Sequence, residues 1–352
     1  METEERVWRA LNFEETDRVP IFEDVRSRPL IEKVSGLNFW DDPIKAHIKT
    51  LKTLGIDMTI GVDIPARERC EYRNEMGFVY VRDEYASFVK ERPYKSVEDV
   101  IEWIRFLPPP LREEEIAEGF KRYVIPRRKA LLPGCVFIGH GGGCWPSIND
   151  LGASYWSMLL YRYPNEFVRL MDHMTENSVR TTKVYTEVVG GLAFLVPDDI
   201  ADKNGLNAKP EFFRKFYIPR LKKILQPLKK RGVKALFHTD GNVDPILDNL
   251  VNQAGIEGWF GMEPRAGNDL ASLKEKYGDK IVLIGNIDTG EVLQFGTAEG
   301  VKETVINSIR AAAPGSGYFL SSENEIHWAI PPENAITMYK TAHKYGRYPF
   351  RP

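Results

Sequence analysis

The chain has 352 residues, with 48 Lys and Arg against 50 Asp and Glu, so its formal net charge is -2. This length suits two ordinary domains or one large α/β barrel, and a composition of 43% hydrophobic and 28% charged residues excludes disorder, collagen and coiled coil. Without a basic block or a run of about 18 apolar residues, the sequence predicts neither a nucleic-acid partner nor a membrane span.

The cysteine content and the first residues bear on the cellular compartment. Only three cysteines occur, an odd and sparse set for a disulfide scaffold. The opening METEERVWRALNFEE is charged and amphipathic, without the apolar core of a secretion signal. We therefore expect a protein of the reducing cytoplasm.

Eight short apolar runs recur along the chain, each followed by polar or glycine residues and then by an amphipathic stretch. Most runs are continuously apolar rather than alternating, which is typical of parallel strands covered on both faces. The predicted strands are 18–25 (RVPIFEDV), 56–64 (IDMTIGVDI), 135–142 (CVFIGHGG), 192–200 (LAFLVPDDI), 233–241 (VKALFHTDG), 256–264 (IEGWFGMEP), 280–288 (KIVLIGNID) and 317–324 (GYFLSSEN).

The stretches between these runs predict helices. Residues 245–255 and 268–278 begin beside Pro or Asn and end in Gly, whereas Pro219 and Pro227 are expected to kink or break a helix over 210–232. The alternation of strand and helix predicts a (β/α)8 TIM barrel over residues 1–352 as a single domain. An open doubly wound sheet is the alternative, although no glycine-rich phosphate fingerprint follows the first strand.

Two regions depart from this rhythm. Residues 68–92 predict a β-hairpin or lid inserted after the second strand. Residues 108–133, rich in Pro, Arg and Lys, predict a surface connection. Barrels of this class often dimerise, so a homodimer is a further expectation.

Polar side chains follow the predicted strands, where a barrel carries its functional residues. So many acids cannot all stay ionised in one pocket without a cation, hydrogen-bond donors or raised pKa values. Some of them could instead cap the following helices. The set comprises Glu23, Asp24, Asp63, His140, Asp198, Asp199, His238, Asp240, Glu263, Asn286, Asp288, Glu323 and Asn324.

His238 and Asp240 carry the sharpest signal, because a spacing of two residues on a strand points both side chains to one face. An imidazole and a carboxylate are acceptable zinc ligands, and a catalytic zinc needs a third protein ligand. Glu323 or Asn324 on the last predicted strand is the expected source of that ligand. Equally, His238 could hydrogen-bond substrate or Asp240 without any metal.

The remaining candidates are assigned to catalysis or to substrate binding. His140 and Glu263 are predicted to act with His238 and Asp240 in catalysis, although His140 could instead be structural. Asp198, Asp199, Asn286 and Asp288 are predicted to bind substrate, and so is Trp145, for which core packing is the default interpretation. Cys144 is interpreted as a buried thiol rather than a ligand or nucleophile.

The pattern resembles the uroporphyrinogen decarboxylase superfamily, a barrel family that includes the decarboxylases and the zinc-dependent, corrinoid-linked methyltransferases. The resemblance runs over most of the chain. It is carried by ALNFEETDRVPIF, NEMGFVYVRDE, PDDIADKNGLNAKPEFFRKFYIPRLKKI, HTDGNVDPILDNLVNQAGIEGWFGMEP, IVLIGNID and PPENAITMYKTAHKYGRYP.

The methyltransferase branch fits this chain better than the decarboxylase branch. Decarboxylases carry an R-Q-A-G-R motif after the first strand, where this chain reads FEDVRSRPLIEK; an acid-lined mouth would also repel a substrate with many carboxylates. Thiol-methylating members hold zinc with His-x-Cys and a later Cys, where this chain has His238-x-Asp240 and, near the later position, Asn324. The resulting oxygen ligands make the site harder and put thiol activation in doubt.

The resemblance implies methyl transfer between a small methyl donor, of methoxylated aromatic or methylamine type, and the corrinoid of a separate protein. A zinc ion or a proton donor would assist departure of the donor oxygen or nitrogen. Two other classes stay open. One is a cofactor-independent lyase that decarboxylates a small acid or porphyrinogen-like substrate, and the other is a binding protein that carries a corrinoid or a methylated amine.

Overall fold

The computed structural model describes residues 1–62 and 64–349 of the chain, as a mixed α/β structure built on parallel strands. The strands are short, and their labels follow the order of the chain. They are β1 (Met58–Thr59), β2 (Cys70–Arg73), β3 (Val79–Arg82), β4 (Ser87–Glu91), β5 (Val136–Phe137), β6 (Gly139–His140), β7 (Ala193–Pro197), β8 (Ala201–Asp202), β9 (Gly205–Leu206), β10 (Lys234–His238), β11 (Gly258–Phe260), β12 (Val282–Ile284) and β13 (Tyr318–Phe319).

The central sheet is parallel and has the order β13-β12-β11-β10-β7-β6, and β1 pairs with β5 in a second parallel sheet. Seven of the eight predicted strand runs therefore contain a strand. The first run, 18–25, forms single bridges instead: Ile21 pairs with Leu320, and Phe22 pairs with Met58, both in parallel. These bridges connect the last strand of the central sheet to β1 through the N-terminal segment.

Helices connect the strands. The α-helices are α1 (Thr3–Leu11), α2 (Arg28–Ser35), α3 (Pro43–Leu54), α4 (Val97–Arg105), α5 (Glu113–Gly119), α6 (Ile125–Leu131), α7 (Ile148–Leu151), α8 (Ala153–Arg162), α9 (Pro164–Val188), α10 (Pro210–Phe212), α11 (Ile218–Lys230), α12 (Asp244–Asn249), α13 (Leu270–Tyr277), α14 (Ala298–Ala312) and α15 (Pro332–Tyr345). Wider π turns lie at Phe120–Val124, Phe213–Tyr217, Leu250–Ala254 and Thr289–Gln294, and a 3-10 turn lies at Pro264–Ala266.

The expectation that Pro219 and Pro227 interrupt a helix over 210–232 is confirmed only in part. The segment is divided into α10, the π turn at Phe213–Tyr217 and α11, which begins one residue before Pro219. Pro227, in contrast, lies inside α11 without ending it. Residues 108–133, predicted as a surface connection, contain α5, a π turn and α6. Of these residues only Leu131 is buried, so the surface location is confirmed, and the connection is helical.

Residues 70–91 form a three-stranded antiparallel sheet in the order β2-β3-β4, which we call the meander sheet. Its middle strand buries Val79 and Val81, whereas β2 and β4 are largely exposed. The turn after β3 carries Tyr85, whose ring lies 4.9 Å from the ring of Trp328. The segment predicted as a hairpin or lid thus holds three strands, and its β3–β4 turn contacts the C-terminal part of the chain.

Successive side chains along the central strands pack alternately into two separate hydrophobic clusters. Leu195, Leu236 and Ile284 belong to a small inner cluster, whereas their neighbours Val196 and Phe237 pack in the large layer between strands and helices. Because side chains of a strand alternate, His238 points to the same side as Leu236. Among the described residues, no helix has both the length and the apolar character needed to cross a bilayer.

Candidate functional site

Adjacent parallel strands bring the main candidates together. Pro197 at the end of β7 is paired with His238 at the end of β10. Asp198 and Asp199 follow β7 directly, and Asp240 follows β10 by two residues. Since parallel strands end at the same edge of a sheet, their C-terminal residues meet there.

The imidazole of His238 is held in one orientation by the backbone of β11. Its Nδ1 lies 3.1 Å from the carbonyl oxygen of Phe260, to which it donates a hydrogen bond. Burial lowers the pKa of His238 below its usual value, so the neutral ring predominates near neutral pH. With the proton on Nδ1, the lone pair on Nε2 faces Asp240, whose Oδ1 lies 3.8 Å away. This is the arrangement of a metal-binding histidine.

Asp240 and Asp199 complete a cluster around Nε2. One ligand atom from each of Asp199, His238 and Asp240 lies within 4.8 Å of the other two, and we call these residues the ligand group. Asn324 donates from Nδ2 to Asp240 Oδ2 at 2.9 Å. Burial, followed by the charges of Asp199 and Glu263, raises the pKa of Asp240 to about 7. A cation in this group would relieve that repulsion.

Asp198, predicted to bind substrate, is held by several hydrogen bonds from the fold. It is buried, and its carboxylate accepts hydrogen bonds from the backbone N–H of Cys144 and Trp145, each at 2.9 Å, and from the Tyr217 hydroxyl at 2.9 Å. The carboxylate therefore ties the glycine loop that follows β6 to the π turn ahead of α11. Cys144 is fully buried, and burial raises the pKa of its thiol well above the usual value.

Glu323 lies in a second acidic cluster with its own cation. Its Oε1 accepts from the Thr289 N–H at 3.1 Å and the Thr289 hydroxyl at 2.9 Å, and burial raises its pKa to about 7. The Arg265 guanidinium lies 2.8 Å from Asp288, 3.6 Å from Glu323 and 3.9 Å from Glu263. Of the four predicted metal ligands, His238 and Asp240 are in the ligand group, Asn324 contacts it, and Glu323 lies with Arg265.

The other candidates are more dispersed. His140, at the end of β6, lines a cavity beside Asp24 and Arg26. Asn286 is buried and donates to the Asn268 carbonyl oxygen at 3.4 Å.

Trp145 and Glu23 are held by packing and hydrogen bonds, and Trp145 also lines a cavity with Asp198 and Asp199. Trp145 is buried and stacks on Phe213 at a ring distance of 4.6 Å. The buried Glu23 accepts from the N–H and hydroxyl of Ser322, and burial raises its pKa to about 8. Asp63, the remaining strand-end acid, lies outside the described residues.

Sequence reasoning did not identify Arg265, and it placed Asp199 with the substrate-binding residues rather than the metal ligands. Arg265 follows Glu263 by two residues within a strand-end loop, so a search for cations among the strand-end acids would have found it. The proximity of Asp199 to His238 and Asp240 had no such signal. It depends on the register between β7 and β10, which the sequence does not reveal.

Comparison with known proteins identifies the family. The uroporphyrinogen decarboxylase (URO-D) family matches residues 135–345, more than half of the chain. The chain therefore belongs to this family, as its motifs predicted.

Individual relatives agree with this assignment. The uroporphyrinogen decarboxylase of Alkalilimnicola ehrlichii is 24% identical over 273 residues, covering 73% of this chain and 68% of the relative. That of Carboxydothermus hydrogenoformans is 26% identical over 277 residues, covering 76% and 73%. A solved methyltransferase from Methanosarcina mazei has a TM-score of 0.70 and 19% identity, covering 98% of this chain and 99% of that one, so the two share a fold.

Proposed function

We propose that this protein is a methyltransferase that moves a methyl group between a small methylated donor, of methoxylated aromatic or methylamine type, and a corrinoid carried on a separate protein. The observation that carries the proposal is the ligand group, in which an oriented neutral imidazole meets two carboxylates. We further infer that the parallel strands and the bridges at Ile21 and Phe22 make one (β/α)8 barrel, with the meander sheet as a lid-like insertion beside its mouth.

The residues of the ligand group suit a zinc ion. Zinc takes imidazole nitrogen and carboxylate oxygen, and a catalytic zinc uses three protein ligands and keeps one position open. His238 already has the backbone hydrogen bond that fixes the ring of a zinc-bound histidine. Burial, followed by the charges of Asp199 and Glu263, raises the pKa of Asp240, and a bound cation would favour its charged form. Bound by His238, Asp240 and Asp199, zinc would supply a Lewis acid for the donor oxygen or nitrogen.

The chain's own residues help to neutralise the charge that forms on the leaving group. When the methyl carbon leaves a donor oxygen, the bonding pair stays on that oxygen, and the acceptor supplies the pair for the new bond to carbon. A phenolate is a poor leaving group unless its charge is neutralised as it forms. Asn324 fixes Asp240 through the hydrogen bond to Oδ2, which leaves Oδ1 facing Nε2 of His238. The roles in catalysis of Glu263 and His140 stay predictions.

The test combines turnover with metal analysis. Purified protein is incubated with reduced free cobalamin and a panel of methoxylated aromatics and methylamines, and the cobalt absorption spectrum is followed. We expect methylation of the cobalt only when protein and a suitable donor are both present. A complete absence of methylation across the panel, with the free corrinoid and with corrinoid proteins of the same source, would overturn the proposal.

His238→Ala and a matched control locate the activity. We expect His238→Ala to lower methyl transfer by about a hundredfold or more and to lower the zinc content of the purified protein. His173→Ala changes a half-buried histidine on α9 that hydrogen-bonds Asn177, and we expect it to leave both quantities unchanged. Equal losses in the two variants would place the function away from the ligand group.

A decarboxylase is the second candidate, because the named relatives are uroporphyrinogen decarboxylases. Such an enzyme would release carbon dioxide from a small acid or a porphyrinogen-like substrate without a metal or corrinoid. Release of carbon dioxide from candidate acids, unaffected by removal of metal with a chelator, would favour it over methyl transfer.

A further inference from the structure

Two cavities lined by residues at the strand ends carry opposite charges. The cavity of about 470 Å³ on the β7 side is lined by Asp198, Asp199 and Asp202. The cavity of about 310 Å³ on the β6 side contains two arginines, Arg26 and Arg127, with His140 and one acid, Asp24. We call them the acidic cavity and the arginine cavity.

Each aspartate of the acidic cavity already has a role. Asp198 is saturated by three hydrogen bonds from the fold. Asp199 belongs to the ligand group. Asp202 accepts the Asn204 N–H at 2.7 Å in a local turn. The negative charge of this cavity therefore does not require a bound organic cation.

Arg127 in the arginine cavity has a hydrogen-bond donor for which the described residues provide no acceptor. It lies on α6, and one of its terminal nitrogens, Nη1, donates to the Tyr123 carbonyl oxygen at 2.8 Å. Its Nε is buried and has no hydrogen-bond partner among the described residues. A buried charged donor without an acceptor is unfavourable by more than a neutral one. The guanidinium also lies over the Tyr123 ring at 5.9 Å. Neither this ring nor the Tyr123 carbonyl oxygen neutralises its charge, whereas a carboxylate in the cavity that Arg127 lines would do so.

The rest of the arginine cavity is apolar. Ile60, Val62, Val124 and Phe137 contribute to its wall, together with the ring of Tyr123. The carboxylate of Asp24 already has a partner, because its Oδ2 accepts a hydrogen bond from Arg26 Nε at 3.0 Å. A ligand that fits both the apolar wall and Arg127 has a flat or apolar body and one anionic end. The volume of the cavity suits a small molecule.

Neighbouring strands link the arginine cavity to the ligand group. His140 in the cavity wall ends β6, which pairs with β7, and β7 in turn pairs with β10 beside His238. A donor with its anionic end at Arg127 would thus extend its other end toward the ligand group.

From this arrangement we propose that the arginine cavity binds the carboxylate of an aromatic acid, and that Arg127 is the residue that recognises it. The inference rests on the proposed function and deepens it. Of the two donor types, it selects a methoxylated aromatic acid over a methylamine. Guanidinium is the side chain best suited to a carboxylate, because two parallel N–H groups can face its two oxygens.

The first test measures binding and does not depend on turnover. Calorimetric titration with hydroxybenzoate, which lacks the methyl group, is compared between the wild type and Arg127→Met. We expect Kd to rise about ten- to hundredfold in the variant, with partial retention in Arg127→Lys. Arg122→Met removes an exposed arginine that lies over the same tyrosine ring, and Kd should stay within about twofold.

The second test measures turnover and separates the two proposals. With a methoxybenzoate as donor, Arg127→Met should raise KM about ten- to hundredfold with little change in kcat; with the uncharged methoxybenzamide it should change neither. Hydroxybenzoate binding that depends on Arg127, without any methyl transfer, would support this inference while overturning the proposed function. Methyl transfer from methoxybenzoate with the same KM and kcat in Arg127→Met as in the wild type would support the proposed function and overturn this inference.

A corrinoid also carries an anionic group, the phosphodiester of its nucleotide loop. Titration with cobalamin and with cobinamide, which lacks that loop, distinguishes this source. If Arg127→Met weakens cobalamin but neither cobinamide nor hydroxybenzoate, the guanidinium binds the corrinoid and our inference is wrong. Tighter binding of tetramethylammonium than of hydroxybenzoate would overturn it as well.

Discussion

The acidic cavity and the arginine cavity look like mirror images in charge, yet they differ in what their charged groups already do. In the acidic cavity, hydrogen bonds from the fold, the ligand group and a local turn account for all three aspartates. In the arginine cavity, Arg127 keeps a buried N–H without an acceptor among the described residues. The charge of a cavity therefore indicates its ligand only when the internal partners of each charged group are taken into account.

The two acidic clusters at the strand ends also differ in the partners that the chain itself provides. Around Glu323 and Asp288 the chain provides its own cation, Arg265. Around Asp199 and Asp240 the groups within reach are His238, which burial keeps neutral, and the Asn324 amide. The first cluster already contains a cation of its own, whereas the second one suits a cation from outside.

Substitution of two neighbouring aspartates would test this contrast most strongly. Asp199→Asn removes a carboxylate from the ligand group, and we expect zinc affinity to fall about hundredfold or more. The free energy of unfolding of the metal-free protein should stay within about 0.5 kcal/mol, because Asp199 is exposed. Zinc affinity is measured by competition with a chelator, and unfolding is measured in urea.

Asp198→Asn is the matched control one residue away, with the opposite expectation. An amide has one oxygen where the carboxylate uses two, so a backbone N–H of the glycine loop loses its acceptor. We expect the free energy of unfolding to fall by about 1–3 kcal/mol, with zinc affinity changed less than in Asp199→Asn. If both variants behave alike, the distinction between a structural and a ligand aspartate fails.

Glu323→Gln should change the pH dependence of stability. Burial raises the pKa of Glu323 from the usual 4.5 to about 7, so the folded state binds this proton more tightly than the unfolded state. Its contribution is therefore full below about pH 4.5 and is lost as pH rises through 7. Relative to the wild type, the variant should gain about 1–3 kcal/mol in unfolding free energy between pH 5 and pH 8.

Urea titrations across this range measure that gain, and Glu299→Gln provides the control. Glu299 is exposed in the first turn of α14, so its substitution should leave the slope with pH unchanged. A Glu323→Gln curve parallel to the wild-type curve would show that Arg265 and Thr289 fully offset the burial of this carboxylate.

Asp202→Asn should have the smallest effect. Its side chain accepts one local N–H and can still do so as an amide. We expect less than about a twofold change in Kd for tetramethylammonium and for hydroxybenzoate. A large loss of cation binding in this variant would make the acidic cavity a substrate site and reverse the comparison.

The sequence by itself determined the family, the order of strands and helices, and the segments that end in polar residues. These are local properties: continuous apolar runs predict covered parallel strands, and the motifs of residues 135–345 carry the family match. His238 and Asp240 were found for the same reason, since a spacing of two on one strand already fixes their common face.

Only the tertiary structure decided which strand-end residues share a site. The pairing of β7 with β10 brings Asp199, and not Asp198, to His238, although the two aspartates are neighbours in sequence. Likewise, α6 carries Arg127 into the cavity beside His140 from a segment predicted to be a surface connection. Register and helix packing set these contacts, and both depend on residues far apart in the chain.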